Sequence, residues 1–182
     1  MFVLKKSKIQ GCFELQPKIF EDARGKFVKT FHEQEFSSRG LETKFEEEYY
    51  SISNKNVIRG LHFQLPPMDH IKMVYCVEGE VLDVVVDLRV GSPTFGQFEM
   101  FELTALKANS IYIPKGMAHG FCVKSEQAIL VYKVSTVYAP DCDAGIHWSS
   151  VGIQWRTNNP ILSVRDQEFP KFNEFVSPFS YE

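Results

Sequence analysis

The part of the chain after Asn56 is a succession of short β-rich runs separated by turn signals. Proline and glycine, which interrupt regular structure, occupy most of the gaps between these runs. Residues 81–88 are almost continuously apolar, as expected for a strand covered on both faces. Many short strands with little helix predict an antiparallel sandwich or barrel, of which the eight-stranded jelly roll is one form. The predicted strands cover residues 73–77, 80–88, 97–103, 110–113, 120–123 and 128–137.

The remaining stretches predict few further elements. Weak alternation at residues 1–16 and clearer alternation at residues 27–31 indicate two more strands. Residues 32–41 contain the only convincing helix candidate, and the acidic run at 46–48 is compatible with a simple solvated face. The polar and aromatic tail at about residues 161–182 is expected to wrap the outside, so the chain predicts a single domain.

Charge and hydropathy argue against two classes of partner. The net charge of −3 and a pI near 6.0 leave no basic surface for nucleic acid. No apolar run approaches the length of a membrane span, and no signal-peptide stretch follows the first lysines, so we expect a cytoplasmic protein. The scattered Cys12, Cys76, Cys122 and Cys142 form no C-x-x-C pair and are expected to be buried or inert thiols.

A cation and an imidazole interrupt a run that otherwise suits a buried strand, Arg-Gly-Leu-His-Phe-Gln at residues 59–64. Strand alternation would place Arg59 on the face of Leu61 and Phe63, and His62 on the opposite face. Burying either polar group is unfavourable unless it finds a partner. His62 is therefore either a satisfied core histidine or part of a site.

Three other segments bear on that choice. The proline-glycine turn at residues 113–121 delivers His119 at the start of a strand, and it resembles the second conserved motif of the cupin superfamily. Tyr132, taken alone, fits a core tyrosine whose hydroxyl is tied to a carbonyl. Asp166, taken alone, fits a turn or cap residue.

The ligand set for a metal is incomplete in this chain. In metal-binding cupins the turn histidine joins a His-x-His pair and a glutamate around a divalent ion. Here Gln64 lies two residues after His62, and His70 lies in a proline-rich loop. Catalytic metals need several well-placed nitrogen or oxygen ligands with an open position, so we expect no metal ion.

Together, these segments resemble the nucleotide-sugar epimerase family typified by dTDP-4-dehydrorhamnose 3,5-epimerase, from about residue 20 to residue 170. The resemblance implies an all-β cupin fold (a double-stranded β-helix, or jelly roll) with a few short helices and wrapping terminal segments. It also implies a homodimer and a nucleotide-sugar substrate. The shared motifs lie at residues 20–25, 56–64, 79–89, 92–96, 113–121, 132–140, 145–148, 152–155 and 162–166, with Lys72.

The chemistry of this family acts on a sugar whose C4 is a ketone, which acidifies the hydrogens on C3 and C5. By resemblance His62 is the base, since an imidazole with an ordinary pKa of about 6.5 suits proton abstraction at neutral pH. Asp166 orients the ring, and Tyr132 is the acid on the other face of the sugar. Lys72, together with Arg59, stabilises charge on the C4 oxygen. Proton removal and return leave the oxidation state unchanged, so no cofactor is expected.

The resemblance also assigns supporting and binding roles. Asp83 is expected to hold Lys72 in place. An amino-terminal arm at about residues 1–30 is expected to be exchanged in the dimer, so that Phe20 and Arg24 serve the other subunit. The predicted substrate-binding residues are Arg59, His119, Arg24, Phe20, Lys29, Glu47, Tyr49, Tyr138, Asp143 and Arg165.

Several of these positions depart from the family pattern. An acidic residue is typical in place of Lys29, a Gln-Asp-Asn triplet is usual in place of residues 47–49, and a lysine is common in place of Arg165. The chemistry therefore carries over better than the specificity. The nucleotide (dTDP, GDP, CDP or UDP), the sugar, and inversion at C3, at C5 or at both stay open. A metal-dependent cupin and a non-catalytic sugar-nucleotide-binding cupin are the alternatives from other classes.

Overall fold

Residues 2–181, the part of the chain that this computed structural model describes, contain thirteen strands and two short α-helices. The helices are α1 (Glu33–Ser37) and α2 (Val164–Glu168), and neither is long and apolar enough to cross a membrane. The strands are β1 (Phe2–Lys6), β2 (Phe13–Pro17), β3 (Ile19–Asp22), β4 (Gly25–Val28), β5 (Glu47–Asn54), β6 (Ile58–Gln64), β7 (Lys72–Glu78), β8 (Glu80–Asp87), β9 (Phe98–Thr104), β10 (Ser110–Ile113), β11 (Met117–Val123), β12 (Gln127–Val134) and β13 (Asp143–Gly145).

Two antiparallel sheets face each other and enclose the main core. The larger sheet has the order β1-β2-β10-β7-β12-β5, and the smaller has the order β13-β6-β11-β8-β9. Strands β3 and β4 form a separate hairpin. From β5 to β8, and again from β9 to β13, each strand lies in the opposite sheet from the strand before it, so the chain winds between the two layers. This arrangement is the predicted jelly roll.

Burial on both faces of β8 explains its nearly continuous apolar sequence. Val81 and Val85 point into the core between the sheets, where they join Leu130 of β12. Leu82 and Val84 belong to a second core on the outer side of the smaller sheet. The carboxy-terminal tail covers that side with the rings of Phe172, Phe175 and Phe179.

A β-bulge in β6 breaks the simple alternation that the sequence suggests there. The pairing of β6 with β11 shifts by one residue between His62 and Arg59, so β6 carries an extra residue. Gly60 lies in this irregular stretch with φ +138°, a conformation that favours glycine. The prediction that Arg59 shares a face with Leu61 and Phe63 was therefore wrong. Arg59 lines the same cavity as His62, whereas Leu61 is fully buried in the outer core.

Gly60→Ala is expected to lower the free energy of unfolding by about 2 kcal/mol or more. A Cβ at this position would lie 2.6 Å from the Cα of Gly120 on β11, and the positive φ would add strain. Urea unfolding followed by circular dichroism measures the loss. Gly91→Ala is the matched control, because Gly91 also has a positive φ but a Cβ added there would meet nothing within 4 Å. Equal losses in both variants would show that the close approach of β6 and β11 is unimportant.

Three elements near the cavity escaped prediction, and one of them is the short strand β13, which carries Asp143. Strand β5 includes Glu47 and Glu48 of the acidic run, and it forms an edge of the larger sheet, paired with β12. Helix α2 begins after Ser163, whose Oγ accepts the backbone N–H of Asp166 at 3.1 Å, an N-cap. Helix α1 is shorter than the predicted 32–41, and β4 ends before the predicted residue 31.

Candidate active site

A cavity of about 390 Å³ opens between the two sheets, and most of the predicted site residues line it. Strands β5, β7 and β12 of the larger sheet contribute one wall, and β6 and β11 of the smaller sheet contribute the other. A volume of this size suits a small-molecule ligand. The predicted residues on its walls are Glu47, Tyr49, Arg59, His62, Lys72, His119, Tyr132, Tyr138, Asp143 and Arg165.

His62 and Asp166 form a hydrogen-bonded pair at the cavity. His62 Nε2 lies 2.8 Å from Asp166 Oδ1, and Asp166 Oδ2 accepts the backbone N–H of Gly60 at 3.0 Å. Burial alone would raise the pKa of Asp166. The hydrogen bond and the charge of His62, together with hydrogen bonds to Gly60 and Ser163, hold that pKa below its usual range. An ionised carboxylate only accepts hydrogen bonds, so Nε2 of His62 is the donor to Asp166, and when the ring is neutral its lone pair is on Nδ1.

Tyr132 reaches the same cavity from the opposite sheet. Its hydroxyl lies 3.1 Å from Ser51 Oγ, and its ring stacks on that of Tyr49 with centroids 4.8 Å apart and planes 15° apart. Burial raises the pKa of Tyr132 well above its usual range. The phenol is therefore protonated at neutral pH and available as a proton donor.

Lys72, His119 and Asp83 form a buried polar group at the inner end of the cavity. His119 Nε2 lies 2.9 Å from Asp83 Oδ2. Asp83 thus bonds to His119 rather than to Lys72, which it affects only through its charge, and this corrects the expected Asp83–Lys72 contact. Burial lowers the pKa of Lys72 to about 8, against the opposing charges of Asp83 and Asp143. Burial also lowers the pKa of His119, against the charge of Asp83.

Charged side chains meet at the exposed end of the cavity. Arg165 Nη1 lies 2.6 Å from Asp143 Oδ2, and the Tyr138 hydroxyl donates to the same oxygen at 3.3 Å. Glu47 Oε2 accepts the backbone N–H of Tyr138 at 2.6 Å. Arg165 and Tyr138 are each about half exposed, so both can meet a ligand that enters.

Three predicted residues lie away from the cavity within one chain. Phe20 and Arg24 belong to the exposed β3–β4 hairpin, and Lys29 follows it. Arg24 is paired with Asp22 at 2.6 Å. The rings of Phe20 and Phe27 lie 6.4 Å apart and are both exposed. The structure does not bring this hairpin to the other predicted site residues of its own chain.

Three further polar residues of the cavity had no predicted binding or catalytic role. Ser51 follows Tyr49 in the two-residue period of β5, a signal that is visible only once β5 is recognised as a strand. Gln64 links two loops, since its amide donates to Met68 O at 2.8 Å and its Oε1 accepts from the Ala139 N–H at 2.7 Å. Burial lowers the pKa of His70 to about 3, and nothing in its loop sequence indicates a site.

The possible metal ligands have other partners. Within residues 2–181, no group of three or more His, Cys, Asp or Glu side chains is placed to hold a metal ion. The two histidines of the paired strands β6 and β11, His62 and His119, each direct Nε2 to a carboxylate. All four cysteines are free thiols, as expected, and Cys142 is the one that is partly exposed.

Known proteins are similar to this chain in sequence and in fold. The sequence model of the family described as dTDP-4-dehydrorhamnose 3,5-epimerase matches residues 6–174. The dTDP-4-dehydrorhamnose 3,5-epimerase of Shigella flexneri is 42% identical over 170 residues, which cover 92% of this chain and 94% of that protein. The dTDP-4-dehydrorhamnose 3-epimerase of Streptomyces niveus is 39% identical over 163 residues, 88% of this chain and 79% of that protein.

A solved structure matches over the whole length. The crystal structure of dTDP-6-deoxy-D-glucose-3,5-epimerase from Legionella pneumophila Philadelphia 1, in complex with dTDP-4-keto-L-rhamnose, covers 100% of both chains with a TM-score of 0.95 and 33% identity. Fold, family match and sequence identity agree. The chain belongs to the dTDP-4-dehydrorhamnose 3,5-epimerase family.

Proposed function

We propose that this chain inverts C3 and C5 of a dTDP-linked 4-keto-6-deoxy sugar by removing and returning protons through an enolate. The observation that supports this most directly is the sharing of one cavity by the His62–Asp166 pair, the Tyr132 phenol and the Lys72 cation. The ligand of the Legionella pneumophila relative, dTDP-4-keto-L-rhamnose, supports a dTDP-linked sugar.

His62 is the general base. Its Nδ1 takes a proton from the carbon beside the ketone, and the electron pair of the broken C–H bond moves into the C4 carbonyl. Asp166 stays bonded to Nε2 and stabilises the imidazolium that results. A base held in this way contributes about 10²–10⁴-fold to a rate.

Lys72 stabilises the enolate. A cation on a buried wall interacts more strongly with a developing oxyanion than a cation in water does. Arg59, whose Nε donates to Ser53 Oγ at 2.9 Å, supplies a second positive charge on the same cavity. Both cations attract the C4 oxygen more strongly in the enolate than in the ketone, which is what acceleration requires.

Tyr132 returns the proton. His62 belongs to the smaller sheet and Tyr132 to the larger one, so the base and the acid approach a sugar between them from opposite walls. Removal from one face and return to the other inverts the carbon. Exchange with solvent then restores both residues, and no atom changes oxidation state.

We expect kcat/KM to fall as the pH rises through about 8. Lys72 acts as a cation, and its lowered pKa means that it loses charge there, whereas an ordinary lysine stays charged to about pH 10. A pH profile of kcat/KM measures this fall, which is the alkaline limb of the profile. Lys72→Arg keeps the charge at every accessible pH, so it should lower the rate but abolish the limb near pH 8. A limb unchanged in Lys72→Arg would rule out this assignment.

We further propose a cytoplasmic homodimer in which each β3–β4 hairpin serves the neighbouring site. The exposed Phe20 and Phe27 rings support an interface, and free thiols fit a reducing compartment. Light scattering tests the dimer. Mixing Arg24→Ala with His62→Ala protein tests the exchange, because one site of the mixed dimer then has both native residues and regains activity. A mixed dimer without activity would mean that each hairpin serves its own chain.

A panel of 4-keto-6-deoxy sugars linked to dTDP, GDP, CDP and UDP tests the proposed function. We expect inversion of the dTDP-linked sugar, and NMR of the product detects it. Turnover of another nucleotide sugar alone would overturn the nucleotide assignment. Inversion at C3 alone would indicate the 3-epimerase activity named for the Streptomyces niveus relative. A requirement for stoichiometric iron, manganese or zinc would indicate a metal-dependent cupin, and tight binding without exchange would indicate a binding protein.

A further inference from the structure

Two side chains of the edge strand β5 contact Tyr132. Tyr49 and Ser51 are two residues apart, so they share the face of β5 that lines the cavity. Tyr132 lies directly opposite Tyr49 in the pairing of β5 with β12. One neighbour therefore lies flat against the ring of Tyr132 while the other meets its hydroxyl.

The two contacts restrict different motions of the Tyr132 side chain. Stacking on Tyr49 fixes the plane of the ring, since the two rings are 4.8 Å apart and nearly parallel. The hydrogen bond to Ser51 fixes the position of the hydroxyl oxygen. The other ring near Tyr132, that of His119, lies farther away at 6.3 Å and meets it edge to face.

We propose that Tyr49 is a positioning residue for proton return, holding the Tyr132 ring so that its hydroxyl aims at the sugar, with Ser51 as its partner. The inference rests on the proposed function, because Tyr132 needs this aim only if it donates a proton to carbon. A proton donor must lie within hydrogen-bond reach of the atom it protonates, and small misplacements slow the transfer strongly. Within residues 2–181 the Tyr49 hydroxyl itself has no hydrogen-bond partner.

A loosened Tyr132 affects one half of the reaction. His62 still removes the proton and exchanges it with solvent, but the enolate now recovers a proton more often from the His62 side. That return restores the original configuration and leaves deuterium on the carbon when the reaction runs in D₂O. Exchange without inversion therefore rises relative to inversion. A residue that merely bound the sugar would lower exchange and inversion in parallel.

The experiment follows exchange and inversion by NMR in D₂O, with dTDP-4-keto-6-deoxyglucose and the full-length protein. Tyr49→Leu removes the ring, and we expect the rate of inversion to fall about tenfold. The ratio of exchange without inversion to inversion should rise by a similar factor. Tyr49→Phe keeps the ring and should recover most of the loss. Ser51→Ala should shift the same ratio in the same direction. Tyr50→Leu is the matched control, because Tyr50 lies on the same strand, faces away from the cavity and is 66% exposed.

The outcomes separate the possible roles of Tyr49. A parallel loss of exchange and inversion in Tyr49→Leu would overturn the proposal in favour of sugar binding. An equal deficit in Tyr49→Phe would overturn it in favour of the Tyr49 phenol, and an equal deficit in Tyr50→Leu would overturn it in favour of a general effect on the strand. An active wild-type protein with an unaffected Tyr49→Leu variant would overturn this inference alone. A wild-type protein that neither exchanges nor inverts would overturn the proposed function as well.

Discussion

The His62→Ala protein is expected to lose solvent exchange and inversion at both carbons, by about 10⁴-fold. Without the imidazole, no other histidine of the cavity takes over as the base. His119 cannot replace it, because burial lowers its pKa and its Nε2 is bonded to Asp83. His70 is also a weak base, with a pKa lowered by burial to about 3.

Deuterium uptake by the sugar in D₂O measures this effect separately from inversion. His147→Ala is the matched control, because His147 lies outside the cavity and bonds to Ser149 at 3.0 Å. It should exchange and invert like the wild type. Asp166 loses its histidine partner in the His62→Ala protein. Circular dichroism checks that this loss does not unfold the domain. Full exchange by a folded His62→Ala protein would refute the assigned base.

The Tyr132→Phe protein is expected to lose inversion by about 10³-fold while deuterium exchange stays within about tenfold of the wild type. Phenylalanine preserves the ring that packs against Tyr49 and removes only the hydroxyl. Proton removal by His62 therefore continues, and the enolate forms as before. Without an acid on the larger-sheet wall, protons return from the side on which they left.

NMR of the recovered sugar reads the two quantities in one sample, as deuterium retained at the original configuration and as inverted product. Tyr75→Phe is the matched control, because Tyr75 lies on the neighbouring strand β7 and outside the cavity. Equal losses of exchange and inversion in Tyr132→Phe would mean that the phenol serves proton removal or binding. Unchanged inversion would mean that another group, or water, returns the proton.

Burial made the main part of the fold predictable from the sequence. Strand β8 is apolar on both faces because a core lies on each side of it, and its predicted bounds are close to the observed ones. Strand β5 was missed because an edge strand exposes most of its side chains and so has no clear apolar period. Helix α2 was missed because five residues are too few for a helical period.

The candidate site was less accessible to sequence reasoning than the fold. His62 and Asp166 are 104 residues apart, and nothing local brings them together. Their pairing was expected from the family resemblance, while Asp166 alone suggested only a turn or cap. Arg59 was assigned to the wrong face because a bulge cannot be deduced from alternation. Asp83 was expected to hold Lys72 in place, and only the packed structure shows that His119 is its hydrogen-bond partner.

The most direct test of the central claim is position-resolved deuterium incorporation by the wild-type protein in D₂O. The protein is incubated with dTDP-4-keto-6-deoxyglucose, with a metal chelator and without added nicotinamide cofactor. Proton transfer beside the C4 ketone predicts one deuterium at each inverted carbon, C3 and C5, and none at C2, which is not adjacent to the ketone. Inverted product without solvent deuterium at those carbons, or no inversion at all, would contradict the mechanism.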